Sequence, residues 1–163
     1  MDTAERSRIG SAGELALLEL LTGSAQGRVE HVAAWSDGHG YDIFVDARQG
    51  HAHLEVKTTV RTGRLTIYIS RHEYETMLRD PAWELVTVRL NRQLKLMAVA
   101  AVPRAWIAAN VPSDRTALGR WESCRFDIPP EVPVPGIPSL SEMLVESAPE
   151  VLRGTPMAHG FYI

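Results

Sequence analysis

The sequence holds a single cysteine, Cys124, so no disulfide can form within the chain and nothing in it points to an oxidising compartment. No apolar run approaches the roughly 20 residues that span a bilayer. The start, Met1-Asp2-Thr3-Ala4-Glu5-Arg6, is charged and lacks the apolar stretch that opens a secretory leader. These absences lead to the expectation of a soluble, cytoplasmic protein without membrane contact. Lysine is also scarce: Lys57 and Lys95 are the two present, and nearly all positive charge is arginine. A net charge of -3 gives no global attraction for phosphate, although a local field can outweigh the sum. What is present is an apolar fraction of 45% in 163 residues, enough for one core and short for two, so a single domain is expected.

The pattern along the chain alternates between helix and strand signals. Ser11-Ala12-Gly13-Glu14 ahead of the apolar run 15–21 reads as a capping box opening a buried helix that stops near Gly23, with a start as early as Thr3 left open. Residues 28–35 alternate as a strand and 36–40 form a loop. Strands are predicted over 41–47 and 52–60 around the turn Arg48-Gln49-Gly50, with 65–69 as the next strand of a meander. Ser70-Arg71-His72-Glu73 is a second capping box, for a helix over 71–80 that Pro81 ends. Residues 85–90 and 94–102 pair around Asn91-Arg92, while 106–111 and 121–128 read as short strands or loop. The proline run 129–138 must be extended, and the interleaved Val132, Val134 and Ile137 predict that it docks on another surface. A last helix is predicted over 140–148, capped by Ser139 with Glu142, before an irregular tail. The fold class is α/β (α+β): a mixed sheet with the helix around 15–21 packed on one face.

The chemistry concentrates in Gly40-Tyr41-Asp42-Ile43 and, thirteen residues after Asp42, Glu55-Val56-Lys57. On a strand, Glu55 and Lys57 share one face. A turn centred between Arg48 and Gln49 sets Asp42 opposite Glu55, unless a bulge at Gly50 shifts the register by one. Two carboxylates so close repel, and a hard divalent ion relieves that repulsion; oxygen ligands with positions left for water and phosphate suit Mg2+, with Mn2+ as a substitute. Lys57 on the same face could hold or activate the attacking water and offset charge on the transition state. Glu14 has an adequate role as a cap; Ser70 and Glu73 are caps first and, with Arg61 and Arg64 on a turn where they could reach phosphate, candidate substrate contacts. His51 and His53 share parity with Glu55, but without a nearby cysteine they read as solvated or stacked rings and not as a zinc site.

Gly40-Tyr41-Asp42-Ile43, Leu54-Glu55-Val56-Lys57-Thr58-Thr59 and Ile69-Ser70-Arg71-His72-Glu73-Tyr74 together resemble the PD-(D/E)XK, or restriction-endonuclease-like, nucleases, and more narrowly the NO VEIN C-terminal type of domain. Tyr41 stands where the superfamily's name has proline. The resemblance implies metal ligation by Asp42 and Glu55, a catalytic Lys57, a helix-borne acid at Glu14, and a central mixed sheet flanked by helices. The resemblance covers roughly residues 9–102 and leaves the C-terminal third unexplained; the expected division is a nuclease-like domain over 1–128, with the proline-rich segment, a short helix and a tail over 129–163. The implied activity is Mg2+-dependent cleavage of nucleic acid, taken as DNA, in a restriction or defence setting, by a homodimer or with a partner protein held through the C-terminal segment. The competing expectation is a module that keeps the fold and binds nucleic acid or protein without cutting.

Overall fold

Asp2 is the residue that starts the first helix. Its side chain accepts a hydrogen bond from the Glu5 N–H at 2.7 Å, and α1 runs from there over Thr3–Thr22. The computed structural model describes residues 2–36, 38–114, 116, 119–154 and 161. Ser11 is therefore an interior helical residue and not the expected cap, because the chain ahead of it is helix-compatible and Asp2 satisfies the first free N–H groups. Ile9, Gly13, Leu17 and Leu21 are buried at intervals of four, one stripe facing the sheet.

Three strands follow as an antiparallel meander: β1 (Gly27–His31), β2 (Ile43–Ala47) and β3 (Gly50–Thr59). The β2–β3 register runs from Ile43 opposite Leu54 to Ala47 opposite Gly50, as the turn at Arg48-Gln49 predicts, and no bulge intervenes. β1 is shorter than expected, since Val32–Ala34 turn into a 3-10 helix. β4 (Leu65–Ser70) does not extend this meander. It leaves the sheet and pairs with β7 (Ser123–Ile128), while β5 (Trp83–Leu90) takes the place beside β3 in parallel. Burial explains the choice. β5 is shielded along almost its whole length and suits a central position, whereas β4 buries Leu65, Ile67 and Ile69 and leaves Tyr68 exposed, which suits a ribbon covered on one side.

Between β4 and β5 lies α2 (Arg71–Arg79), capped as predicted: Ser70 accepts from the Glu73 N–H and Glu73 accepts from the Ser70 N–H. β6 (Leu96–Val102) pairs antiparallel with β5, and β8 (Val134–Pro135) adds to its far edge, giving the order β1-β2-β3-β5-β6-β8. The proline-rich run is thus docked: Gly136 N–H donates to the Val99 carbonyl at 2.9 Å, and Ile137 is fully buried. Proline is tolerated there because β8 is an edge strand.

Two elements differ from expectation. Residues 104–110 form a helix, α3 (Arg104–Asn110), which buries Ile107 behind Pro103, where strand or loop was predicted. The helix predicted over 140–148 is instead a 3-10 turn, Pro138–Met143, followed by extended chain and the short α4 (Glu150–Arg153). Ser139 caps nothing; its hydroxyl hydrogen-bonds the Glu84 carboxylate. Pro149 biases the residue before it away from helix and begins α4 as its N-cap. Of the predicted irregular tail, residues 150–153 form α4, and residues 155–160, 162 and 163 lie outside the described residues.

Leu17, Leu21, Ile43, Leu54, Val86, Val99, Leu140 and Leu152 fill the layer between α1, the sheet and the C-terminal segment. Leu65, Ile69, Met77, Trp83, Leu85, Ile107 and Phe126 fill the layer on the opposite face, under the β4–β7 ribbon, α2 and α3. The result is a central mixed sheet flanked by helices. Among the described residues no helix is long and apolar enough to cross a membrane.

Candidate active site

The β2–β3 pairing begins with Ile43 opposite Leu54, so Asp42 lies immediately before it, while the other edge of β3 pairs with β5. The Asp42 N–H donates to the Leu54 carbonyl at 2.8 Å, and the Asp42 carboxylate accepts from the Val56 N–H at 2.8 Å, which fixes the side chain against β3. Glu55 is 4% exposed. Two residues on, and so on the same face, Lys57 places Nζ 2.9 Å from a Glu55 carboxylate oxygen. The same ammonium donates to both oxygens of Glu73 at 3.0 and 3.1 Å. Glu73 therefore caps α2 and anchors Lys57 at once, because the cap at the end of β4 turns the first turn of α2 toward β3.

Glu14 arrives from the α1 side. Gly13 packs so tightly on Thr58 that a Cβ there would overlap the threonine side chain, and this close approach brings the next residue down to the sheet. Glu14 hydrogen-bonds His31 Nε2 at 2.9 Å, and its charge acts on Asp42. His31 was not singled out in the sequence. The signal for it lies in the meander, since His31 pairs with Ile43, the residue after Asp42.

The electrostatics follow from burial and crowding. Burial first, and then the charge of Glu14, push the Asp42 carboxyl up to about 6, against the lowering effect of the Val56 N–H and Lys57. Burial, with Asp42 and Glu73 nearby, raises Glu55 well above the carboxylate range despite its ion pair. Burial works against the Lys57 ammonium, yet Glu55 and Glu73 more than offset it and hold Lys57 above the ordinary lysine value. Burial likewise opposes ionisation of Glu73, but Lys57 and the Ser70 N–H keep it below the ordinary range. One ammonium cannot neutralise Asp42, Glu55 and Glu73 together, so the protein without a cation retains protons in this cluster.

That donor set tests the fit of a divalent ion. All its members are oxygens, and the two least able to ionise, Asp42 and Glu55, are the two that a cation would relieve. Among the described residues no group of three or more His, Cys, Asp or Glu side chains is arranged to enclose a metal. Magnesium does not need such a cage, because it keeps several waters and binds through one or two carboxylates plus phosphate. Asp42 and Glu55 fit that mode. His53 takes no part: it stacks on Tyr41 at 4.4 Å and pairs with Asp80. Arg61 and Arg64 are exposed on the turn after β3, in a cleft that Lys57 also lines.

Residues 13–95, from the Gly13 contact through the end of the β5–β6 turn, match the family described as Protein NO VEIN, C-terminal. The chain belongs to that family. The matched stretch holds Glu14, Asp42, Glu55, Lys57 and Glu73, all members of the cluster, and stops before β6. Among solved structures, Archaeoglobus fulgidus Hjc, a Holliday junction resolvase, is similar over 85% of this chain and 92% of its own, with 20% identity and a TM-score of 0.45. No curated protein sequence matches the chain.

Proposed function

We propose that this NO VEIN C-terminal domain is a metal-dependent nuclease of the PD-(D/E)XK kind that hydrolyses phosphodiester bonds in DNA, in a restriction or defence setting. The observation that carries the reading is the buried cluster in which Lys57 bridges Glu55 and Glu73 beside Asp42. A structural ion pair needs one carboxylate per cation, and the surplus here leaves protonated acids in the interior that only a further cation would relieve.

Asp42 and Glu55 would hold Mg2+, with Mn2+ able to replace it, and the ion would supply charge stabilisation at the phosphate and a more acidic water. Lys57 stays protonated throughout the working pH range because both of its carboxylate partners favour the ammonium. It therefore acts as a fixed donor that orients the attacking water and stabilises negative charge on the phosphoryl oxygens, and not as the base. Glu73 is the positioning residue that holds Nζ in place, and Glu14 sets the field at Asp42. Arg61 and Arg64 contact the flanking phosphates. Water attacks phosphorus and releases its proton to solvent, the new P–O bond forms, and the bond to the leaving sugar oxygen breaks as that oxygen takes a proton from solvent. Cutting both strands of a duplex with one such centre calls for two copies of the chain.

The test is incubation of supercoiled plasmid and of labelled oligonucleotides with the purified chain in Mg2+, in Mn2+ and in EDTA. Nicking or linearisation in either ion, lost in EDTA and in Glu55→Gln, is the expected result. Intact DNA under every metal condition, with no heat of Mn2+ binding, refutes the reading.

A further inference from the structure

A cleft of about 470 Å³ opens beside the site, between the first turns of α1, the end of β3 and the exposed face of the β4–β7 ribbon. Lys57 is among the residues that line it. Arg6, Arg61, Arg64 and Arg125 also line it, so the cleft is strongly positive in a chain whose net charge is -3. Arg6, Arg61 and Arg64 make no ion pair with any carboxylate among the described residues, and Arg125 is held by an exposed pair to Asp127 at 3.2 Å, a contact worth little in water. A structural arginine cluster would be neutralised by neighbouring acids, as Arg71 and Arg120 are by Asp114 and Glu75. This one is not.

The cleft also carries an aromatic ring. Thr66, Tyr68 and Ser70 share one face of β4, and Tyr68 is 54% exposed, directly across from Arg125. Tyr68 leaves more than half of its surface in water and lines the same cleft as Arg6, Arg61, Arg64 and Arg125. Phosphate-binding arginines alternating with an open aromatic face form the pattern that binds a nucleic-acid backbone with unstacked bases. A recess of this volume lies in the range of small-molecule pockets, about 300 to 1,000 Å³, room for a nucleotide unit.

Building on the nuclease reading, we propose that this cleft receives an unpaired strand, with its phosphates on Arg6, Arg61 and Arg64 and a base stacked on Tyr68 beside Arg125. The substrate class of the site is then single-stranded or locally unpaired polynucleotide, delivered to Lys57 along the exposed face of β4.

The test measures binding of the full chain, without metal and so without cleavage, to a fluorescent oligothymidylate strand and to the matching duplex by anisotropy. The strand is expected to bind at least tenfold more tightly than the duplex. Tyr68→Ala should weaken strand binding by about five- to 150-fold, the range of one lost stacking contact, and leave duplex binding unchanged. Tyr68→Phe should retain strand affinity. Arg6→Ala with Arg64→Ala should weaken the strand complex and flatten its salt dependence. Equal or tighter duplex binding, equal losses on both probes for Tyr68→Ala, a Tyr68→Phe loss as large as that of alanine, or no binding at all overturns the proposal. Because the readout is binding in EDTA, an inactive but strand-binding protein defeats the nuclease reading alone, and an active, duplex-preferring protein defeats this inference alone.

Discussion

Replacing Asp42 with asparagine should stabilise the metal-free protein at neutral pH and leave it unchanged in acid. In the folded chain the Asp42 carboxyl titrates at about 6, against an ordinary value of 3.8, chiefly through burial and the charge of Glu14. Between those values the folded chain keeps a proton that the unfolded chain has released, so unfolding free energy falls as pH rises. At about 1.36 kcal/mol per unit, the shift corresponds to about 3 kcal/mol, lost progressively from about pH 4 to pH 6 and fully absent above pH 7. Asparagine has the shape of the neutral acid, and its carbonyl oxygen can accept the Val56 N–H bond that the carboxylate accepts at 2.8 Å. Urea unfolding in EDTA should therefore find Asp42→Asn about 3 kcal/mol more stable than the unsubstituted chain at pH 8 and equal to it near pH 4, with the same denaturant slope. Excess Mg2+ should reverse the order at pH 8, since only the chain with both carboxylates gains from the ion. A stability difference that does not change with pH, or an Asp42→Asn protein that is weaker at pH 8 in EDTA, refutes the electrostatic reasoning.

Mn2+ affinity, measured by calorimetry, should climb between about pH 5 and pH 7 as Asp42 loses its proton near 6, with protons released on binding. Glu73→Gln keeps an acceptor for the Ser70 N–H but takes away the charge opposite Lys57; cleavage is expected to drop roughly 10- to 100-fold while the melting temperature barely moves. Gly13→Ala forces α1 away from Thr58 and should destabilise the fold by about 1 to 3 kcal/mol in chemical denaturation, with reduced cleavage because Glu14 moves too. Ile137→Ala, in the proline-rich segment, should cost about 2 to 5 kcal/mol, as for a core position; a value near zero in the same unfolding assay contradicts the docking described here.

What the sequence disclosed and what it hid divide along physical lines. The β2–β3 register was legible because a two-residue turn leaves no freedom once its centre is chosen, and it sets Ile43 opposite Leu54, with Asp42 close enough for its charge to act on Glu55. The Ser70–Glu73 cap was legible because both partners lie within four residues. The parallel pairing of β3 with β5 was not, since nothing local distinguishes a strand that continues a meander from one that leaves it; with Glu84, Thr87 and Arg89 among its residues, 83–90 shows its central place only by burial in the fold. The α1 start was left between Thr3 and Ser11 because Ser11–Glu14 satisfies the capping pattern as well as Asp2–Glu5 does, and only the helix's full length decides for Thr3. Residues 104–110 and 138–153 were misread for a shared reason: short, proline-flanked segments take their conformation from the core that they cover. The Glu14–His31 pair depends on two tertiary contacts, α1 on β3 and β1 on β2, and no spacing in the sequence encodes it.

The account rests on Lys57 and Asp42 doing different work in one cluster, and a paired measurement on Lys57→Ala and Asp42→Ala tests that most directly. Calorimetric titration with Mn2+ is run beside a cleavage assay on the same protein samples. Asp42→Ala is expected to lose both metal binding and cleavage, because the ion loses one of its two protein ligands. Lys57→Ala is expected to keep its fold and to bind Mn2+ still, while cleavage disappears, because the ammonium acts in the chemical step. Undiminished cleavage by Lys57→Ala, or Mn2+ binding by Asp42→Ala equal to that of the unsubstituted chain, contradicts it.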